Sequence, residues 1–334
     1  MLTDQRLFLG GWVDSIETDA PHAAEVVPGW RNGVVVPMEP GPLRLRSTVL
    51  HTPGVRLGRL EFSCGHRYHG SVPAETVFLA FPLTPPERIV FNGRHLDALS
   101  IVAGGPGREI ELFSRVSGQH LVMSIRASSF GASSEAWSKR LGDEGWSPRS
   151  RSPEHRRVLV EFATSVLSAA QAAPSLARNA TFHQGLERRL VRMLDVGISR
   201  EGTVGNEPER RRAARAAQRY LASNLRKRIS VAELCLVAGA NERTLQRGFL
   251  ETYGLTPKAY VVSRRLDLVR RQLLAPSEGT TVTAAATSVG FFHFGRFAEA
   301  YRRLFGESPS ATLRRALEPS AVSVSGYPSR SATV

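Results

Sequence analysis

Leu245, Phe249, Tyr253, Gly254, Thr256 and Pro257 form a pattern that returns at Phe297, Tyr301, Phe305, Gly306, Ser308 and Pro309, each residue 52 positions further along. Upstream of each copy runs a short apolar helix candidate that ends in glycine, 231–238 before Gly239 and 282–289 before Gly290. Helix, glycine turn, helix is the plan of a helix-turn-helix, whose second helix can enter the major groove of DNA. One glycine between two helices carries little weight. A doubled unit with matching aromatics, Gly-x-Thr/Ser-Pro exits and basic residues carries much more. Its competing reading is a solenoid-like stack of helical repeats.

Charge favours the first reading. Apolar content of 42% and charged content of 22% are ordinary for a soluble chain, but a formal charge of +14 and a pI near 10.9 are not. Residues 208–318 hold 20 Lys/Arg against 9 Asp/Glu, a balance of +11, which leaves +3 for the rest. The excess therefore sits with the repeat, and a polyanion is the expected partner. Double-stranded DNA is favoured over an anionic membrane, because no long apolar run or lipidation signal accompanies the charge. Residues 1–12 lack the basic and apolar regions of a secretory signal, which predicts a cytoplasmic protein. Cys64 and Cys235 are expected to be reduced structural thiols, with Cys235 in a small buried slot of its helix.

At 334 residues the chain has room for two cores. Residues 43–125 are β-rich and punctuated: Leu43, Leu45 and Val49 alternate with polar residues, 76–81 is a continuous apolar run, and Asn92-Gly93 signals a tight turn. Many short strands suggest a small barrel or sandwich, either enclosing a ligand or serving for packing and dimerisation alone. Cys64, His66, His69 and Glu75 lie close together, but residues three apart on a strand face opposite sides. Both imidazoles meet one ion only if a turn intervenes, so no metal is assigned.

A Pro/Arg/Ser-rich linker is expected at 147–153. Beyond it Val158, Phe162, Val166 and Ala169, then Leu186, Leu190 and Leu194, have near-helical spacing. This helical pair reads equally well as a dimer contact or as a cover for the β domain. A turn-rich boundary at 197–208 follows, with Pro208 suited to a first helical turn. Arg210, Arg211, Arg212, Arg215 and Arg219 form either a solvated face or a phosphate contact. Ser230 with Glu233 spells a capping box, Asn241 caps the next helix, and 258–274 is a long connector acting as a rigid rod. Helices are further expected at 282–289, 293–305 and 309–317, and past Pro319 the tail reads as disordered.

The stretch 229–315 resembles the paired helix-turn-helix domain of the AraC/XylS family of bacterial transcriptional regulators. The resemblance rests on Leu245-Gln246-Arg247-x-Phe249, Tyr253-Gly254-Leu255-Thr256-Pro257, Gly290-Phe291, Arg296-Phe297 and Phe305-Gly306-Glu307-Ser308-Pro309. The run 290–299 is closest to the branch of regulators of aromatic-acid and ethanolamine catabolism. The resemblance implies an α+β chain of two domains. A β-rich, cupin-like barrel that senses an effector would occupy 1–150, a helical linker or dimerisation segment 151–206, an all-α domain with two helix-turn-helix motifs 207–318, and a disordered tail 319–334. It further implies promoter DNA, a small-molecule effector, RNA polymerase and a second copy of the chain as partners, with no cofactor and no catalysis.

On the first recognition helix Arg243, Thr244, Gln246 and Arg247 match family positions at or near base edges. On the second, Arg296 is the clearest base reader, with His293, Gly295 and Glu299 beside it. Arginine grips guanine O6 and N7 bidentately and glutamine does the same for adenine. Arg247 on phosphate, Gln246 in solvent, Glu299 orienting a neighbouring arginine and His293 capping its helix are the competing readings. Phe291, Phe297, Tyr301 and Phe305 form an aromatic stripe that packs in the core. Two other classes of function compete: a cupin-type metal enzyme using His66, His69 and Glu75, and a DNA-architectural protein without a sensor. No nucleophile elbow, P-loop, Cys-x-x-Cys or dinucleotide fingerprint supports the enzyme.

Overall fold

A computed structural model of the protein describes residues 11–19, 31–38, 43–135, 137, 141, 148–199 and 208–318. The tail expected at 319–334, most of the boundary expected at 197–208 and the N-terminal stretch 1–10 lie outside them. By its contacts the chain forms two compact units, Met1–Arg264 and Arg265–Val334.

The first unit begins with eleven described strands in two antiparallel sheets. One sheet runs in the order β1 (Trp12–Asp19), β3 (Arg44–His51), β4 (Val55–Phe62), β11 (Gly118–Arg126), β6 (Thr76–Pro82), β9 (Val102–Gly104). The other runs β2 (Arg31–Pro37), β5 (His66–Ser71), β10 (Glu109–Ser114), β7 (Ile89–Phe91), β8 (Arg94–His95). These sheets stay separate among the described residues and do not close into the barrel the sequence suggests. The six-stranded sheet is apolar on both faces.

Register makes those faces explicit. Leu57 pairs with Met123 and Met123 with Leu79, and this row faces a helical pair. Phe62 pairs with Leu45, and Val122 pairs with Ala80; these point into the space between the sheets with Tyr68, Ile89, Ile110 and Leu112. Alternation along each strand thus feeds two cores. Asn92 (φ 45°) and Gly93 (φ 77°) turn β7 into β8, pairing Phe91 with Arg94, as the Asn-Gly signal requires.

The helical pair is α1 (Pro153–Ala172), capped by Ser152, and α2 (Ala180–Gly197), capped by Asn179. It packs on the outer face of the six-stranded sheet. The buried stripe of α1 is Leu159, Ala163, Leu167 and Ala170, one residue on from the expected 158, 162, 166 and 169. Val158 is 41% exposed. Both stripes have helical spacing. The smaller Leu/Ala row wins because it lets the helix lie close on the sheet, while Phe162 and Val166 pack along its flank.

His66 and His69 lie in one uninterrupted strand, so no turn brings their rings together. His66 stacks on Phe62 between the sheets, at 3.7 Å between ring centres, whereas His69 Nε2 meets Glu109 on the other side at 3.3 Å. Among the described residues no three His, Cys, Asp or Glu side chains are placed to hold a metal ion. Among them, too, no helix is long and apolar enough to cross a membrane.

Candidate nucleic-acid interface

Four helices carry the first copy of the repeated pattern: α3 (Glu209–Asn224), α4 (Val231–Ala238), α5 (Glu242–Tyr253) and α6 (Pro257–Leu274). Ser230 Oγ accepts the Glu233 N–H at 3.1 Å and starts α4, but the Glu233 carboxylate accepts from the Tyr220 hydroxyl. Gly239, at φ 60°, ends α4 in the left-handed region that favours glycine, and Asn241 Oδ1 accepts the Thr244 N–H at 2.8 Å to start α5. Cys235 is half-buried, not enclosed as expected; Leu234 fills the buried position of α4.

Helix α5 is two-faced. Leu245, Gly248, Phe249, Thr252 and Tyr253 are buried, while Arg243, Gln246 and Arg247 are exposed and Thr244 is half-buried. Gln246 Nε2 donates to Glu242 Oε1 at 2.9 Å, one turn earlier. The inner face is held by an aromatic cluster, with Phe249 and Tyr253 rings 5.4 and 4.9 Å from Tyr260 of α6. Of the arginine run on α3, Arg210 pairs with Glu251 at 2.6 Å and Arg211 approaches it at 3.7 Å. That part of the run braces α5 and is not a simple solvated face.

Gly248 sets how closely α5 crosses α3. A Cβ there would lie 2.0 Å from the Arg210 carbonyl oxygen, a clash with backbone that no rotamer relieves. Gly248→Ala is expected to destabilise the folded chain by about 1–3 kcal/mol in urea melts. Gly295→Ala is the control. Nothing lies within 4 Å of its Cβ position, so it should be neutral or stabilising by up to about 1 kcal/mol. Equal effects of the two would contradict the close crossing.

The second unit repeats the local plan with α7 (Val282–Thr287), α8 (Phe294–Phe305) and α9 (Pro309–Leu317). Thr281 caps α7, Gly290 turns at φ 88°, and Gly306 ends α8 at φ 74°. Phe297, Tyr301 and Phe305 are buried, with the half-buried Phe291 ring 5.1 Å from Phe297. His293, Gly295, Arg296 and Glu299 are exposed. His293 occupies the cap position of α8 without a side-chain cap hydrogen bond. Glu299 Oε1 accepts from Arg303 at 2.7 Å, so the acidic side chain is turned toward an arginine one turn on.

Sequence reading missed the charged core of this unit. Arg270, 2% exposed on its side chain, lies 4.6 Å above the Phe305 ring and 3.0 Å from Glu307, which also pairs with Arg315 at 2.7 Å. Burial alone would raise the Glu307 pKa. The Thr312 hydroxyl, then Arg315 and Arg270, outweigh it and hold the carboxyl below its usual range. The signal available was Glu307 in place of the first copy's Leu255.

A helix-turn-helix domain family matches residues 234–315, spanning both glycine turns. XylDLEGF operon transcriptional activator 1 of Pseudomonas putida is 39% identical over 128 residues, covering 38% of this chain and 38% of that protein. The match thus spans well under half the length of that relative. Activator 2 of the same operon and organism is 36% identical over 126 residues, covering 37% of this chain and 78% of that protein. Among solved structures, a probable AraC family regulator from Rhodopseudomonas palustris is 38% identical, covering 31% of this chain and 96% of that chain at a TM-score of 0.30. Activator 2 is 36% identical and covered over 78% of its length, and the helix-turn-helix family match takes in both glycine turns; the chain accordingly belongs to the AraC/XylS family of helix-turn-helix transcriptional regulators.

Proposed function

We propose that the protein is a cytoplasmic, non-catalytic regulator that reads a promoter through two helix-turn-helix motifs, with α5 and α8 in successive major grooves roughly 34 Å apart. Residues 207–318 form the DNA-binding domain and 151–206 the helical linker. Residues 1–150 form an effector-sensing domain, cupin-like in an open two-sheet form, that takes a small molecule. RNA polymerase and a second copy of the chain are its further partners. Arg243, Gln246, Arg247 and Arg296 read base edges, Thr244, His293 and Glu299 flank them, and Gly295 lets the backbone approach the duplex. One observation carries this reading: Arg243, Gln246 and Arg247 on α5, and Arg296 on α8, are exposed on helices whose opposite faces are buried.

Selection of duplexes from a random pool by the full chain, followed by titration at several salt concentrations, tests it. The selected duplex should bind at least about a thousandfold more tightly than a scrambled one. Affinity should fall steeply between 50 and 200 mM salt, because Lys/Arg contacts release condensed counterions. Equal affinity for both duplexes would leave an architectural protein, and a flat salt response would contradict the electrostatic contact.

A further inference from the structure

Alternate residues of β10 point away from the space between the sheets, and this row meets the helices of the first headpiece. Glu111 is 2% exposed; its Oε2 accepts from the Tyr260 hydroxyl at 2.6 Å, and its Oε1 lies 3.5 Å from Arg264 Nε. Two residues on, the Phe113 ring sits 5.1 Å from Tyr253 and 6.4 Å from Tyr260. Two further on, Arg115 at the turn into β11 donates to the Leu250 carbonyl oxygen at 3.0 Å and to that of Glu251.

Each contact falls at a mechanically significant place. Leu250, Glu251 and Tyr253 form the last turn of α5, where the Leu250 carbonyl also accepts the capping Gly254 N–H at 3.1 Å and the helix dipole favours a cation. Tyr260 and Arg264 belong to the opening turns of α6. A buried Glu–Arg pair adds little net stability over an apolar replacement, but it admits few geometries. The exposed Arg243, Gln246 and Arg247 lie on the other side of α5 and are not covered by the row.

Resting on the reading of α5 as a recognition helix, we propose that the outward row Glu111, Phe113 and Arg115 positions that helix, so that the β half sets how well the first headpiece discriminates DNA sequences. Arg115 is the positioning residue that reports this most cleanly. Its side chain is exposed and it belongs to neither apolar core.

Full-length Arg115→Ala and Arg115→Lys decide the matter with two readouts. The first is affinity for the wild-type selected duplex and for a scrambled duplex. Arg115→Ala should weaken the first by about fivefold or more, the lower end of typical site-to-site coupling, and leave the second within about twofold. Arg115→Lys, which still donates to the carbonyls, should recover most of the loss. The second readout is amide hydrogen exchange without DNA, in which the last turn of α5 should exchange faster in Arg115→Ala and as wild type in Arg115→Lys. Unchanged or tighter binding of the selected duplex by Arg115→Ala overturns the proposal, and so does unchanged exchange in α5. If wild type prefers no duplex, the regulator reading fails by itself, and the exchange measurement still decides whether Arg115 holds the helix.

Discussion

Arg296→Ala and Arg243→Ala are each expected to reduce the full chain's preference for its selected duplex over a scrambled one by roughly 5- to 150-fold. That range corresponds to the 1–3 kcal/mol of discrimination carried by a good bidentate arginine–guanine contact. Both side chains are exposed and neither belongs to a core cluster, so melting temperatures should stay at the wild-type value. Arg303→Ala provides the contrast. Its side chain is exposed and paired with Glu299 one turn back on α8; with Arg303 assigned to phosphate rather than to a base edge, its loss should weaken selected and scrambled duplexes alike and reduce the salt slope by about one. Anisotropy titrations of the three variants separate the roles. Wild-type discrimination in both Arg296→Ala and Arg243→Ala would refute the assignment of these arginines to bases.

What the sequence revealed of this molecule follows the range of the interactions involved. Caps, glycine turns and the aromatic stripes of α5 and α8 are local, and Asn241, Gly239, Gly290 and Phe297 could be placed from their neighbours alone. Helix α1 was visible as a helix, but choosing its buried stripe required the sheet beneath it, which favours Ala163 and Ala170 over Phe162 and Val166. Strand β1 escaped notice because it is an edge strand, with Asp14, Ser15 and Glu17 interrupting the apolar pattern; its pairing with β3 and the stacking of Trp12 on His51 supply its place. The candidate base readers were named from a family pattern; the structure leaves Arg243, Gln246, Arg247 and Arg296 exposed and Thr244 half-buried. The Glu111–Tyr260 contact joins residues 149 positions apart, and nothing near either of them announces the other.

The same limit hid a pair of histidines whose effect on stability should be large. His66 of β5 and His120 of β11 meet between the sheets with ring centres 5.9 Å apart, and both side chains are buried. His66 Nδ1 donates to the Cys64 carbonyl at 3.3 Å, whereas among the described residues neither ring nitrogen of His120 has a hydrogen-bond partner. Burial first, and for His66 the neighbouring His120 second, push the two pKa values down to about 3 and about 4. Unfolded, each would titrate near 6.5. The folded chain therefore refuses protons that the unfolded chain accepts, so stability is complete above pH 6.5 and declines as pH falls towards 3–4. At pH 5 the loss should reach roughly 2 kcal/mol per histidine, since each pH unit below 6.5 costs about 1.4 kcal/mol per group. His120→Leu replaces the unpartnered imidazole with an apolar side chain and should be as stable as wild type or better at pH 8. Between pH 7 and 5, urea melts of this variant should show a loss smaller than that of wild type by roughly 2 kcal/mol, the share of one histidine. An acid response identical to wild type would mean that His120 is not the neutral, buried group its surroundings require.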